Sequence, residues 1–445
     1  MHATVADRPI AIVAASGRPG RRLPVRDGPH AASVRPPPGS VDDAAGAIDA
    51  RVNRIAPVPT QITPDRTPTM TSAAPLDQNA DRPLRVGVIG LGFAGTTHLD
   101  AYLKVPGVDV VALAGQEIER LHELGETRYV PHLYADWEDL VARDDLDIVS
   151  VGTPNYLHAP ITIAALESGK HVLCEKPLAT TGDEALAMVT AATNANRVLE
   201  IAFNHRRRGD VQTLRHYIDT GALGHIYHAK SSWLRRSGIP GLGSWFTNKQ
   251  MAGGGPLIDL GAHVLDIALF LMDEPRVLSV SAATYAELGT RGKGGSPNAA
   301  KSGAGFAYEV EDLASAFLRL EGGRTLLLEA SWAGYGKAGE DIEVELMGTD
   351  GGAHILVQNY ATTDTLRLFT DVDGRPAVIT PTVGKGEGHL AVVREFIDAV
   401  RGCDWSSHNG YYGLHRTRVL DACYASAQLG REVEVEVEAD ASVAR

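Results

Sequence analysis

The chain has 445 residues, 44% of them hydrophobic and 22% charged, with a formal net charge of −13. That length exceeds what one small core serves, so at least two domains are expected. The acidic balance argues against nucleic acid or an anionic membrane as the main partner, and no uninterrupted apolar run approaches the roughly 20 residues of a membrane span.

Residues 1–80 read differently from the rest. They hold 12 of the 24 prolines and nine arginines, with no lysine and no aromatic residue. Such a stretch cannot bury enough apolar surface to offset the entropy of ordering it, so disorder is expected. Met70 stands just ahead of the first strand pattern, and translation is expected to begin there.

From residue 84 to about 202 strand and helix patterns alternate. Apolar strands are expected at 84–90, 108–114, 147–152, 171–174 and 198–202. Helices are expected at 94–104, 117–125, 136–143, 158–169 and 182–196. That alternation implies a parallel sheet with helices on both faces, here over 81–204. The first strand runs into Gly90-x-Gly92-Phe93-Ala94-Gly95. The first glycine permits a tight turn, the second lets backbone approach a pyrophosphate, and the third lets helix pack on strand. The N–H groups and dipole of the following helix then face the phosphates.

Two further segments end strands of the same sheet, Thr153-Pro154-Asn155-Tyr156-Leu157-His158 and Cys174-Glu175-Lys176-Pro177. Ligands of open α/β sheets bind beyond that edge, so Lys176 is expected in the crevice. Pro177 is a candidate for a cis bond. Cys174, in an apolar strand, reads as an inert buried thiol. The three cysteines, Cys174, Cys403 and Cys423, have no metal-ligand spacing and suit a reducing, cytoplasmic setting.

After about 205 the grammar changes. Strands are expected at 225–235, 276–287, 308–319, 324–332, 341–347 and 353–357, then helices near 388–401 and 411–429. Few helices separate these strands, so residues 205–435 read as an α+β domain with a large, mostly antiparallel open sheet. Residues 289–305, with six glycines in 17, read as a mobile surface loop. Between them lies Gly253-Gly254-Gly255, followed by Asp259 and His263, four apart on a helical pattern and hence on one face. A carboxylate one turn from an imidazole can orient it and favour its charged form. No HExxH or Cys/His cluster is present, and no metal is expected.

Together GLGFAG, TPNYLH, CEKP and GGG…DLGAH resemble, in order and spacing, the Gfo/Idh/MocA oxidoreductases. The resemblance covers about 84–430. It implies a doubly wound Rossmann domain, a C-terminal domain whose open sheet joins protomers into dimers or tetramers, and a catalytic Lys, Asp and His that fall on Lys176, Asp259 and His263. A nicotinamide would accept the hydride of a secondary alcohol of a sugar, cyclitol or sugar derivative. His263, with an ordinary pKa of about 6.5, would take the hydroxyl proton. Lys176 would steady the developing charge, and Asp259 would orient His263 or hold a neighbouring hydroxyl. The cofactor wall would comprise Gly90, Gly92, Phe93, Ala94, Gly95, Gly115, Gln116, Thr153, Pro154, Asn155, His158, Glu175 and Lys176. The substrate wall would comprise Lys176, Asn204, Arg206, Arg235, Trp245, Asp259 and His263.

One departure leaves NAD and NADP open. The second strand ends VVALAGQE, with Gly115 where an acid for the ribose 2′-hydroxyl would stand; the family favours NAD slightly. A different net reaction also uses these residues: glycoside cleavage by transient oxidation, elimination and re-reduction with tightly bound NAD. A short-chain dehydrogenase is excluded, because the helix at 158–170 lacks the tyrosine it needs.

Overall fold

The computed structural model describes residues 82–295, 307–336, 339–402 and 404–436. The expectations for residues 1–80, for Cys403 and for the glycine-rich segment beyond 295 fall outside these.

The first sheet is built from β1 (Leu84–Ile89), β2 (Val108–Ala114), β3 (His132–Tyr134), β4 (Ile148–Val151), β5 (His171–Cys174) and β6 (Leu199–Ile201), in the order β3-β2-β1-β4-β5-β6. All five pairings are parallel. Between them run α1 (Phe93–Tyr102), α2 (Ile118–Arg128), α3 (Trp137–Val141), α4 (His158–Glu167) and α5 (Gly182–Ala195). This is a doubly wound Rossmann sheet. The chain reverses its winding direction between β1 and β4, which opens a crevice beyond their carboxyl ends. Strand β3, an edge strand whose three residues are exposed or half-buried, lacks the apolar run that marks the equally short β6.

After α6 (Gly209–Asp219) the second sheet gathers β7 (Ile226–Arg235), β8 (Val277–Tyr285), β9 (Leu313–Leu320), β10 (Thr325–Ser331), β11 (Glu340–Gly348), β12 (Gly352–Gln358), β13 (Leu366–Val372), β14 (Arg375–Ile379) and β15 (Val433–Glu434). Their order is β14-β13-β12-β11-β7-β10-β9-β8-β15, antiparallel except for β7 against β10. The pair β13–β14 was not among the expected strands. Its signal was present: Asp373 and Gly374 both have positive φ, the two-residue hairpin turn that an Asp-Gly pair favours.

A short helix, α7 (Lys249–Ala252), follows β7, and one face of this sheet is covered by α6, α8 (Ala262–Leu271) and α10 (Tyr411–Leu429). Nine of the ten residues of α8 are buried, so it is a core helix. Its side chains join Leu257, Leu328, Trp332, Ile342 and Val344 in one cluster. The stretch Lys249–Leu271 is long and apolar enough to cross a membrane by length and composition, but 89% of its most apolar window is buried inside the protein. Helix α9 (His389–Arg401), although late in the chain, packs on α1. Its Val392, Val393, Phe396 and Ile397 share a core with Val86 and Val88 of β1 and Leu99 of α1.

Candidate active site

A cavity of about 920 Å³ opens at the switch point and continues between the two sheets. That is the upper end of the range that small-molecule sites occupy. The glycine fingerprint forms its floor. Gly90 has φ +107, and a Cβ there would meet the Gly152 carbonyl at 2.3 Å. A Cβ on Gly95 would sit 2.0 Å from the Gly90 oxygen, so only glycine lets α1 approach β1 this closely. A Cβ on Gly92 would meet nothing within 4 Å, because this position faces the open cavity. The N-terminal turn of α1, starting at Phe93, therefore offers free backbone N–H groups beside bare backbone, a cradle for an anionic pyrophosphate.

Beyond β2 and β3 the cavity is lined by Gly115, Gln116, Glu117, Asp136, Trp137 and Glu138. An acid in place of Gly115 would collide with Leu91, whose Cγ lies 2.4 Å from an added Cβ. Carboxylates two residues on and across β3 line this end instead.

At the other end the TPNYLH and CEKP segments meet. His158 bonds the carbonyls of Pro177 (2.7 Å) and Thr153 (3.0 Å), which ties the two strand ends together. Asn155 donates to the Ala252 carbonyl at 2.8 Å. Both residues line the cavity, yet both ring nitrogens of His158 and the amide nitrogen of Asn155 are engaged with the protein. The Lys176–Pro177 peptide is cis. Glu175 accepts at one oxygen from His98 and His389, both 3.1 Å, and at the other from the Lys176 N–H at 3.0 Å. Burial opposes its ionisation, but the bonds from His389 and His98 prevail and hold it well below the usual carboxylate range. Among the described residues this is the single trio with ligand-like spacing, and its facing atoms already bond one another.

Lys176 reaches across to the second sheet's domain. Its Nζ donates to the Asp259 carbonyl (3.0 Å) and to Asp259 Oδ1 (2.9 Å). Trp332 Nε1 donates to Oδ2 at 2.9 Å. Burial pushes the Asp259 carboxyl up, and Lys176, Trp332 and Arg235 more than offset this to hold it ionised. An ammonium has three donors, so one N–H of Lys176 remains for a ligand oxygen. Of the two roles expected of Asp259, orienting His263 is not seen: its carboxylate bonds Lys176 and Trp332 instead. The segment Leu257–Gly261 is a π-turn preceding α8, and its wider turn sends Asp259 toward Lys176 and Trp332.

His263 lines the same cavity. Its Nδ1 is buried with no hydrogen-bond partner among the described residues, which leaves Nε2 as the ring nitrogen open to the cavity. The ring lies 4.5 Å from His205 and 5.6 Å from Trp233, centroid to centroid. Burial first, then the charge of Lys176 and the neighbouring His205, hold its pKa well below the ordinary imidazole value. The expectation of a pKa near 6.5 is therefore corrected: this imidazole is neutral throughout the physiological range. His205 is pushed down to about 3, chiefly by burial.

The substrate candidates divide. Asn204, Arg235, Trp245, Asp259 and His263 line the cavity, with Trp245 stacked on Phe246 at 3.8 Å. Arg206 does not. Its guanidinium is bound to Asp266 and Glu274 and lies against Phe203, Phe270 and Tyr412, as a buried structural ion pair. Tyr360, His389 and Trp332 escaped the sequence reading. Each comes from a different element, and no local motif marks them.

A glycine-cradled crevice feeding a Lys–Asp pair and a neutral imidazole defines a dinucleotide-dependent oxidoreductase. Residues 84–203 match the oxidoreductase family with NAD-binding Rossmann fold, and 211–354 match the GFO/IDH/MocA C-terminal domain. The chain is 32% identical to D-glucoside 3-dehydrogenase of Escherichia coli K12, over 79% of this chain and 98% of that protein. It is 33% identical to levoglucosan dehydrogenase of Pseudarthrobacter phenanthrenivorans, over 69% of this chain and 81% of that one. A solved levoglucosan dehydrogenase in complex with NADH superposes with a TM-score of 0.68 at 27% identity, covering 80% of this chain and all of the other. The chain belongs to the Gfo/Idh/MocA oxidoreductase family.

Proposed function

We propose that this enzyme oxidises a secondary hydroxyl of a glucoside or a closely related sugar with NAD. The observation that carries the reading is the convergence of Lys176, Asp259 and His263 from two domains on one cavity that also holds the glycine cradle. Bound there, the nicotinamide would take the hydride. Lys176 would donate its third N–H to the substrate oxygen and stabilise the charge that builds there. His263, neutral, would accept the hydroxyl hydrogen at Nε2. Trp233, Trp245 and Phe246 offer faces to the apolar side of a sugar ring, and Asn204 and Arg235 offer donors to its hydroxyls. The relative that acts at position 3 of a D-glucoside supports the 3-hydroxyl as the one oxidised.

The charge at the far end of the cavity supports NAD over NADP. Glu117, Asp136 and Glu138 line the cavity end beyond β2, and among the described residues no Lys or Arg lines it there. A 2′-phosphate would be repelled. A reducing, cytoplasmic setting suits Cys174 and Cys423, which are free and buried. The outer face of the second sheet, with Leu327 and Phe369 exposed, is the surface proposed to join protomers, which light scattering would measure. The functional test is a panel of glucosides, free sugars and cyclitols with each cofactor. Reduced NAD should form in proportion to a keto-sugar. Cleavage of a glycosidic bond without net NAD reduction would overturn the reading.

A further inference from the structure

Glu340 stands behind the cavity wall rather than on it, yet three groups converge on its Oε1: Trp233 Nε1 (2.6 Å), Arg235 Nε (2.7 Å) and the Tyr360 hydroxyl (2.8 Å). All three donors line the cavity. The sheet register brings the ion pair together, because Glu340 on β11 lies directly opposite Arg235 on β7. Tyr360 arrives by a different device. Asn359 and Tyr360 both have left-handed backbone, φ +49 and +61, unusual for non-glycine residues. Two bonds between Asn359 and the Glu340 backbone (2.7 and 3.1 Å) hold that turn against β11. Strain kept in place this way commonly marks a site where a side chain must be aimed.

The charges then balance in pairs. Lys176 and Arg235 are the lysine and the arginine among the described lining residues. Lys176 is matched by Asp259 and Arg235 by Glu340. His205 and His263 are held neutral, and Glu175 adds a negative charge. Among the described lining residues, then, neither the lysine nor the arginine stands without a matched carboxylate to offer an anionic substituent. Arg235 spends Nε on Glu340 and one Nη2 bond on Tyr360 (3.2 Å), which leaves the rest of its five N–H donors for neutral acceptors.

We propose that Glu340 is a positioning residue that sets the charge specificity of the site. It holds Trp233, Arg235 and Tyr360 as one rigid wall and neutralises the guanidinium, so that the wall fits adjacent hydroxyls of an uncharged sugar and rejects a carboxylated or phosphorylated one. The inference rests on reading this cavity as a sugar site.

Two variants with opposite expected signs test it. With the full chain and NAD, kcat/KM is measured for methyl glucoside and for its C6-oxidised counterpart, methyl glucuronide. The unaltered enzyme should prefer the neutral sugar. Glu340→Gln leaves Arg235 unmatched and should narrow that preference about tenfold, mainly by lowering KM for the glucuronide. Arg235→Gln leaves Glu340 unmatched and should widen it. A purely structural role would weaken both substrates alike in both variants. If the glucoside is oxidised and neither variant moves the ratio, the role of Glu340 is wrong while the sugar reading stands. If the unaltered enzyme oxidises neither sugar, the sugar reading falls and this inference with it.

Discussion

The two ends of the cavity are built on different principles. At the cofactor end the chemistry is done by backbone. Gly90, Gly92 and Gly95 fall within six consecutive positions: Gly90 is required by its φ and by a contact that a Cβ would violate, Gly95 by such a contact, and Gly92 leaves bare backbone facing the cavity. At the substrate end the chemistry is done by side chains drawn from β5, β7, the π-turn, α8, the β12–β13 connection and α9. A ligand bound by backbone leaves a contiguous fingerprint. A ligand bound by side chains leaves residues scattered over more than 200 positions. The first end tolerates little change and is recognised at once; the second tolerates change and sets specificity.

The largest break in this contrast should come from Gly95→Val. Its Cβ would lie about 2.0 Å from a backbone oxygen that cannot swing away. NAD binding, followed by calorimetry, should be lost altogether. Lys176→Met should do the reverse. NAD affinity should stay within about twofold while kcat falls about 10³-fold, because only the group facing the substrate oxygen is lost. His263→Ala should lower kcat about 10²-fold with NAD affinity again unchanged. In the unaltered enzyme the depressed His263 pKa keeps the imidazole neutral in mild acid. The kcat/KM profile should therefore show no imidazole limb between pH 7 and 5.5. An ordinary imidazole would instead cost about tenfold per unit below about 6.5.

A smaller effect should sharpen the cofactor end. Asp136→Arg exchanges a repulsive charge for an attractive one, and the NAD-to-NADP ratio of kcat/KM should fall about tenfold. The smallest effect concerns stability. His205 and His415 titrate near about 3 in the folded chain, both chiefly through burial. The unfolded chain binds protons on these residues below about 6.5, and the folded chain does not. Stability contributed by each is thus present above that pH and is lost as pH falls, by about 1 kcal/mol per residue between pH 7 and 5.5. Urea midpoints at the two values check the sign; a rise toward acid would contradict it.

The same division explains what could be read from the chain alone. Strand–helix alternation and the glycine fingerprint made the first sheet legible, apart from the three-residue β3. Lys176, Asp259 and His263 were legible through their motifs, but their partnership was not. A helical reading pairs residues four apart, and the π-turn at Leu257–Gly261 breaks that spacing, which moved Asp259 from His263 to Lys176. Arg206 was misread because its short stretch shows a basic cluster and conceals the Asp266 and Glu274 that meet it from 60 and 68 positions away. His263's low pKa was invisible for a related reason. It is set by burial and by Lys176 and His205, which only the folded chain brings near.

Everything turns on whether Lys176 and His263 face the carbon that gives up a hydride. A methyl glucoside deuterated at carbon 3 tests this directly, with the reduced cofactor recovered and weighed. One deuterium should appear per reduced NAD in the unaltered enzyme, and Lys176→Met should all but abolish its formation. Reduced NAD that carries no label would contradict oxidation at that carbon, and label transfer undiminished in the variant would remove Lys176 from the reaction.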